Sequence, residues 1–128
     1  LEEAELSILK AIELQPDFAK AHFNLGSILK DLGKLKEAEL STHKAIELKQ
    51  DFAEAHYNLG VILTDLGQLK EAELSYRKAI EIKPDYAQAH SNLGKLLLSK
   101  GNYIEGIKRI KESTGFISFD LINGLSIG

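Results

Sequence analysis

Three histidines, His22, His56 and His90, recur at intervals of 34 residues. Imidazole nitrogens bind zinc, which needs each nitrogen at about 2.0–2.1 Å. A repeat of this length places each histidine in a separate unit, and packed helices hold neighbouring units about 8–10 Å apart. The three rings therefore cannot share an ion. We predict packed histidines that are satisfied by hydrogen bonds, no metal site and no cofactor.

Catalytic side chains do not occur in a working combination. No nucleophile accompanies a base and an orienting residue, and no pair of carboxylates falls in a predicted pocket. The glycines are one helix apart, so they do not form a phosphate-binding loop. The chain has no cysteine, which excludes a disulfide framework and a thiolate metal site. We expect a protein that is not an enzyme.

Three asparagines, Asn24, Asn58 and Asn92, also recur at intervals of 34 residues. An amide side chain carries donor hydrogens and an acceptor oxygen, so a row of amides can bond the alternating N–H and C=O groups of an extended peptide. The same amides can instead bond a neighbouring helix and shape the array. The two roles are compatible, and the sequence leaves both open.

The composition limits the classes of partner. The chain has 128 residues, of which 44% are hydrophobic, and its 16 basic and 19 acidic residues give a net charge of -3. This mixture lacks the basic surface that nucleic acid or an anionic membrane needs. No apolar run reaches about 18 residues, and no charged and apolar leader opens the chain. We predict no nucleic-acid or membrane partner and a cytoplasmic location, and the lack of methionine indicates a segment of a longer protein.

A repeat of 34 residues organises these side chains. Residues 19–52 and 53–86 are identical at 24 of 34 positions, which is far beyond chance for two stretches of this period. A third, degenerate copy covers residues 87–114. Residues 1–18 supply the second helix of a truncated copy, and residues 115–128 form a strand-like tail.

Each unit is predicted to contain two helices. A glycine that can adopt positive φ follows the first helix at Gly33, Gly67 and Gly101. An aspartate stands before the next unit, where we expect N-caps at Asp17, Asp51 and Asp85. Glu54 would complete a capping box with Asp51. Proline stops the second helix in two units, and its replacement by Gln50 allows that helix to continue.

Apolar residues form one stripe along each helix. In the first unit the stripe of the first helix consists of Ala21, Leu25, Ile28, Leu29 and Leu32. Neither helix can bury its stripe alone, whereas stacked neighbours can, so we predict a solenoid. Gly26, Gly60 and Gly94 lie in mid-helix at a cost of about 1 kcal/mol each, which indicates that a partner helix crosses closely there.

These residues resemble the tetratricopeptide repeat. The resemblance covers residues 1–113 and rests on residues at the family's separations, namely Asn58, Leu59, Gly60, Gly67, Ala72, Tyr76, Ala79 and Pro84. It implies an all-α, right-handed superhelical solenoid of helix-turn-helix repeats, with the first helices lining a concave face. The row of asparagines is similar to that in the repeats of O-linked N-acetylglucosamine transferase. Gly106 replaces the family's alanine in the last copy, so we expect the last helix to be the least stable.

The resemblance implies a peptide-binding groove. The candidate residues lie on the first helices of the three units: Lys20, Phe23, Asn24, Ser27, Glu54, Tyr57, Asn58, Val61, Gln88, Asn92 and Lys95. A basic clamp for a partner's terminal carboxylate fits poorly, because only Asn58 matches its five positions. We therefore predict a non-catalytic protein-protein interaction scaffold that binds a peptide segment. The three asparagines would bond the peptide backbone, and Phe23 and Tyr57 would supply apolar contact. The alternatives are a recognition or targeting arm of a larger glycosyl- or sulfotransferase, and a self-assembling array.

Two features could pair copies of the chain. Leu6, Leu40 and Leu74 lie about 180° from the apolar stripe of the second helices, so they form a row on the outer face. The tail carries Asn123-Gly124, a β-hairpin signal, between apolar residues that include Phe116, Phe119 and Leu121. It could cap the array, begin a following domain or pair with a second chain. A homo-oligomer through the tail or the outer face is therefore among the expectations.

Overall fold

The computed structural model describes residues 1–114 and shows seven α-helices. They are α1 (Glu2–Leu14), α2 (Ala19–Asp31), α3 (Leu35–Leu48), α4 (Ala53–Asp65), α5 (Leu69–Ile82), α6 (Ala87–Ser99) and α7 (Tyr103–Thr114). This part of the chain contains no strand. The hairpin prediction, with Phe116, Phe119 and Leu121, lies outside the described residues.

The turn within each unit is made by glycine, which confirms the prediction. Gly33, Gly67 and Gly101 have φ values of 79, 80 and 83°. At the first of these turns, the Gly33 N–H donates to the Lys30 carbonyl at 3.0 Å and the Lys34 N–H donates to the Leu29 carbonyl at 2.8 Å. This pair of bonds satisfies carbonyls at the helix end that would otherwise lack donors. A side chain with a Cβ atom would be strained at each glycine.

The predicted aspartate caps are wrong. The N-cap residues of α2, α4 and α6 are Phe18, Phe52 and Tyr86, and none of these three helices has a side-chain cap hydrogen bond. The capping box between Asp51 and Glu54 does not form. Each aspartate lies one residue before the cap, and an aromatic residue occupies the cap in all three cases. Tyr86 is buried there, whereas Phe18 is 44% exposed.

Gln50 does not extend α3, so that prediction is also wrong. The helix ends at Leu48, and the Phe52 N–H donates to the Lys49 carbonyl at 3.2 Å. The equivalent bond in the next unit joins Tyr86 to Lys83 at 3.0 Å. The same backbone hydrogen bond therefore closes the junction with and without proline.

The helices stack as a solenoid in which each first helix packs between two second helices. Ala38, Ala45, Ala72 and Ala79 are fully buried in the second helices. A Cβ atom built on Gly60 would lie 2.5 Å from Cε1 of Tyr76. The mid-helix glycines therefore permit close helix crossings, as predicted, and the cost of glycine in a helix is offset by this packing.

The core lies in the centre of the array and thins toward both ends. Leu59, Leu63, Tyr76, Leu93 and Leu97 form one buried cluster where α4, α5 and α6 meet. No residue of α1 is buried, and the only buried residue of α7 is a glycine. The low stability expected of the last helix stays a prediction.

Charged contacts connect α7 to the units before it. Arg77 of α5 donates two hydrogen bonds to Glu105, at 2.7 and 3.0 Å. Glu112 places a carboxylate oxygen 3.2 Å from Nδ1 of the buried His90. These contacts supplement the small apolar surface that α7 buries.

Candidate functional site

The three histidines serve the turns between units. The Nε2 nitrogen of His22 lies 2.7 Å from the carbonyl oxygen of Pro16, and that of His90 lies 2.7 Å from the carbonyl oxygen of Pro84. His56 lies 3.1 Å from the carbonyl oxygen of Gln50, and burial of its ring lowers its pKa. One nitrogen of each ring is thus engaged by backbone. The buried Nδ1 of His90 makes no hydrogen bond within residues 1–114, although a Glu112 oxygen lies 3.2 Å away. Residues 1–114 contain no group of three side chains that could hold a metal ion.

The groove is the surface that α2, α4 and α6 share, and the eleven predicted site residues lie on these helices. Four are exposed, namely Lys20, Glu54, Gln88 and Lys95. Six are half-buried, namely Phe23, Asn24, Ser27, Tyr57, Val61 and Asn92. Asn58 alone among them is buried, with 6% of its surface exposed.

Asn58 links α4 to α2. Its Nδ2 donates to the hydroxyl of Ser27 at 2.8 Å. Its Oδ1 accepts a hydrogen bond from Nζ of Lys30 at 3.2 Å. Both ends of this amide are thus occupied within the array, and Lys30 extends along the groove at this junction.

Asn92 links α6 to α4 and α5 through tyrosines. Its Nδ2 lies 3.2 Å from the hydroxyl of Tyr57 and 3.4 Å from that of Tyr76. Burial raises the pKa of Tyr76, whose hydroxyl also lies 3.4 Å from Oγ1 of Thr64. Within residues 1–114 the Oδ1 of Asn92 has no donor, so this oxygen can still accept a hydrogen bond. The side chain of Asn24 makes no hydrogen bond to any residue within 1–114.

A pocket of about 320 Å³ opens in the groove between α4 and α6. Its apolar lining consists of Val61, Leu69, Leu96 and the ring of Tyr76. Its polar lining consists of Thr64, Asp65, Asn92, Lys95 and Ser99. An apolar floor with several hydrogen-bonding groups around it is the usual composition of a small ligand site.

A second pocket, of about 530 Å³, lies beside the turns that precede α2 and α4. The ring centroids of Phe23 and Phe52 are 4.9 Å apart, and Nζ of Lys49 lies 5.0 Å from the centroid of the Phe52 ring. Phe18 is 44% exposed at its edge. Phe23 is therefore partly engaged by the array itself, in addition to the groove position predicted for it.

The eleven predicted site residues include three of the nine that line the α4–α6 pocket, and the apolar floor was missed. Tyr76, Leu69 and Leu96 line its floor, although Tyr76 and Leu69 belong to a second helix. A signal was present, because Tyr76 occupies the position of Thr42 in the preceding, nearly identical unit. A large residue that replaces a small one at a buried position must displace its neighbours or fill a space.

Comparisons with known proteins agree with this architecture. A profile described as TPR repeat matches residues 26–64 and 60–101, and a tetratricopeptide repeat profile matches residues 7–39. The chain belongs to the tetratricopeptide repeat family. Family and fold together support a protein-interaction scaffold. No curated protein matches this tetratricopeptide repeat chain in sequence.

Solved structures of MamA and of an O-GlcNAc transferase are among those that resemble this tetratricopeptide repeat array. MamA is 29% identical to this chain in sequence, and the two structures superpose with a TM-score of 0.83. The match covers 89% of this chain and 67% of MamA. MamA from Desulfovibrio magneticus RS-1 shares 20% identity with a TM-score of 0.80, over 89% of this chain and 64% of that one, and shows the fold alone. A mutant O-GlcNAc transferase from Thermobaculum terrenum shares 32% identity with a TM-score of 0.70, over 73% of this chain and 18% of the transferase.

The tetratricopeptide repeats contain no membrane-spanning candidate. None of the helices within residues 1–114 is long and apolar enough to cross a bilayer. The similarity of the asparagine row to that of O-linked N-acetylglucosamine transferase stays a prediction.

Proposed function

We propose that the array binds a peptide segment of a protein partner in its groove, with one apolar side chain of the peptide in the α4–α6 pocket. The pocket volume of about 320 Å³ suits one large aliphatic or aromatic side chain. Val61, Leu69 and Leu96 supply apolar contact there. Burying such a side chain contributes about 1.5–3 kcal/mol.

Polar groups beside the pocket suit the backbone of the peptide. The Oδ1 of Asn92 can accept a peptide N–H, and Lys95 can donate to a peptide carbonyl. The Ser99 hydroxyl already donates to the Leu96 carbonyl at 2.6 Å, so it can only accept. Asp65 adds a negative charge on the same side. The exposed groove residues Lys20, Glu54 and Gln88 differ in charge from unit to unit, so we propose that they select charged side chains along the peptide. The remaining groove residues, Phe23, Asn24, Ser27, Tyr57 and Asn58, then shape or flank the path of the peptide.

A difference between the two junctions carries this proposal. Lys30 extends to Asn58 at the α2–α4 junction and occupies the oxygen of that amide. Thr64 is the equivalent residue at the α4–α6 junction, and its short side chain instead donates to the Gly60 carbonyl at 2.8 Å. The Asn92 oxygen and the pocket beside it are left accessible. Affinity in the micromolar range, about -8 kcal/mol, is ordinary for such a short groove.

The test uses peptides selected from a displayed random library on the full chain. Fluorescence anisotropy measures the Kd of a selected peptide for the parent and for Thr64→Lys, which should reproduce the bridge that Lys30 makes. We expect Thr64→Lys to raise the Kd at least about tenfold. His43→Lys adds the same charge on the outer side of α3, where the ring is 54% exposed, and should leave the Kd within about twofold. Failure to select any peptide, or equal binding by Thr64→Lys and the parent, contradicts the proposal.

A recognition arm of a larger enzyme is the second candidate. The observation that favours it is the 32% identity to a region that makes up 18% of the O-GlcNAc transferase chain. The reading frame around the chain distinguishes the two candidates. A catalytic domain in the same frame supports the arm, and its absence supports the independent scaffold.

A further inference from the structure

The outer face is the surface around Leu6, Leu40 and Leu74, on the side of the array opposite the groove. These leucines are 68, 72 and 62% exposed, as their position in the helical pattern predicts. They recur once per unit, and Lys108 takes the equivalent position on α7. The three leucines thus form a row of separate apolar contacts, one on each second helix, which scattered exposed residues do not provide.

Ion pairs within single helices neutralise much of the charge at the middle of the outer face. On α3, Lys36 pairs with Glu39 at 3.8 Å, and Lys44 pairs with Glu47 at 3.3 Å. On α5, Lys78 pairs with Glu81 at 3.5 Å. Leu40 and Leu74 therefore lie beside charged side chains that already form ion pairs within the same helix.

The two ends of the outer face carry opposite charge. The acidic end is α1, which has four glutamates and one lysine. Its Glu2, Glu3 and Glu13 are exposed and make no ion pair within residues 1–114. The basic end is α7, which has three basic and two acidic residues. Its Lys108 and Lys111 are exposed and likewise unpaired in the described part of the chain, whereas both of its glutamates are engaged.

We propose that a second copy of this chain covers the outer face through a two-fold axis that runs parallel to the helices between α3 and α5. Such an axis places Leu40 against Leu74 of the second copy, and Leu74 against Leu40. It also reverses the order of the helices, so the acidic α1 faces the basic α7 of the other copy. The alternative axis, along the array, would set α1 against α1 and repel the two copies.

This pairing leaves the groove free, because the outer face and the groove lie on opposite sides of the array. It is therefore independent of the proposed peptide binding. A pair formed in this way presents two grooves that point away from each other. Two peptides of one partner could then bind with the gain that a bivalent site provides.

Sedimentation equilibrium of the full chain, across roughly 10 to 500 µM, tests the pairing. We expect a monomer–dimer equilibrium for the parent. The double variant Leu40→Asp, Leu74→Asp should raise the dimer Kd at least about 100-fold, because two apolar contacts are replaced by buried carboxylates. Leu14→Asp changes an equally exposed leucine, at 78%, that lies outside the row, and it should leave the Kd within about twofold. Circular dichroism establishes that each variant folds, and Leu40→Gln, Leu74→Gln replaces the aspartates if they do not.

Charge reversal tests the direction of the axis. At low salt, Glu2→Lys with Glu3→Lys should raise the dimer Kd about tenfold, and adding Lys108→Glu with Lys111→Glu should restore it to within about threefold. A parent that stays monomeric, a dimer that survives the leucine changes, or a charge loss that is not restored overturns the proposal. So does a mass that grows beyond the dimer with concentration.

Discussion

The α2–α4 and α4–α6 junctions begin with the units 19–52 and 53–86, which are identical at 24 of 34 positions, yet they hold their asparagines in different ways. At the first junction, Asn58 is buried between Ser27 and Lys30. At the second, Asn92 bonds two tyrosine hydroxyls and keeps its oxygen open. The first junction is closed by polar side chains, whereas the second forms a pocket.

A few coupled differences produce this contrast. Where the first unit has Ser27 and Lys30, the second has Val61 and Thr64, so the partners that hold Asn58 have no counterparts for Asn92. The hydroxyl of Tyr76, which replaces Thr42, supplies one substitute partner. The comparison teaches that neighbouring repeats can keep one backbone and still differ in the site they offer.

The largest expected difference is in the loss of unfolding free energy when Tyr76 or its counterpart Thr42 is replaced by alanine. Tyr76→Ala removes a buried ring from the central cluster and should lower the free energy of unfolding by about 3–5 kcal/mol. Thr42→Ala removes one hydroxyl, which bonds the Ala38 carbonyl at 2.8 Å, and one methyl group, and should cost about 1–2 kcal/mol. Urea denaturation measures both values. Equal losses would show that the two junctions are energetically alike.

A smaller effect should rank the three asparagines. Asn58→Ala leaves the Ser27 hydroxyl and the Lys30 ammonium without their partner and should cost about 1–3 kcal/mol in unfolding free energy. Asn92→Ala should cost about 1 kcal/mol, because its donor contacts are longer. Asn24→Ala should change stability by less than about 0.5 kcal/mol. Thermal and urea unfolding of the three variants give the order, and a loss at Asn24 as large as that at Asn58 would reject it.

The smallest effect concerns Arg77, which replaces His43 of the first unit. Its hydrogen bonds hold the pKa of Glu105 below the ordinary 4.5, and Lys100 and Arg77 do the same for Glu73. Because these folded-state pKa values are depressed, the stabilisation is present above the unfolded pKa and is lost as pH falls through the lower folded pKa. Arg77→Ala should cost about 1 kcal/mol or less at neutral pH, since the pair is partly exposed.

The pH dependence checks this assignment. Unfolding free energies of the parent and of Arg77→Ala should converge as pH falls from about 7 to about 3, because the carboxylates become protonated. His43→Ala is the control at the equivalent position of the first unit. A difference between Arg77→Ala and the parent that is unchanged at acid pH would assign the effect to packing of the arginine stem instead.

The sequence was sufficient for the repeat and its helices because both follow from local rules. Gly33 and Gly67 must take positive φ, and the stripe through Leu25 and Leu29 has one period. The cap at Tyr86 was missed, because packing of its buried ring against Tyr57 of α4 outweighed the capping preference of the aspartate before it. Local propensity is weaker than such tertiary contacts.

The candidate site was predictable in outline only. Helical phase assigned Asn58, Asn92 and Val61 to the groove, and this assignment stays a prediction. It could not show that Lys30 closes one junction while Tyr76 opens the floor of the other. Those features depend on contacts between side chains of different helices, whose residues are 12 to 31 positions apart in the sequence. The hydrophobic pattern of a single helix does not report such contacts.

Nuclear magnetic resonance of the full chain with a library-selected peptide tests the central claim most directly. The side-chain amide of each asparagine reports on its own junction. We expect the peptide to shift the resonances of the Asn92 side-chain amide and of the Val61 and Lys95 backbone amides, while the Asn58 side-chain amide resonance does not move. Shifts confined to Asn58, or to the outer-face residues Leu40 and Leu74, would contradict it.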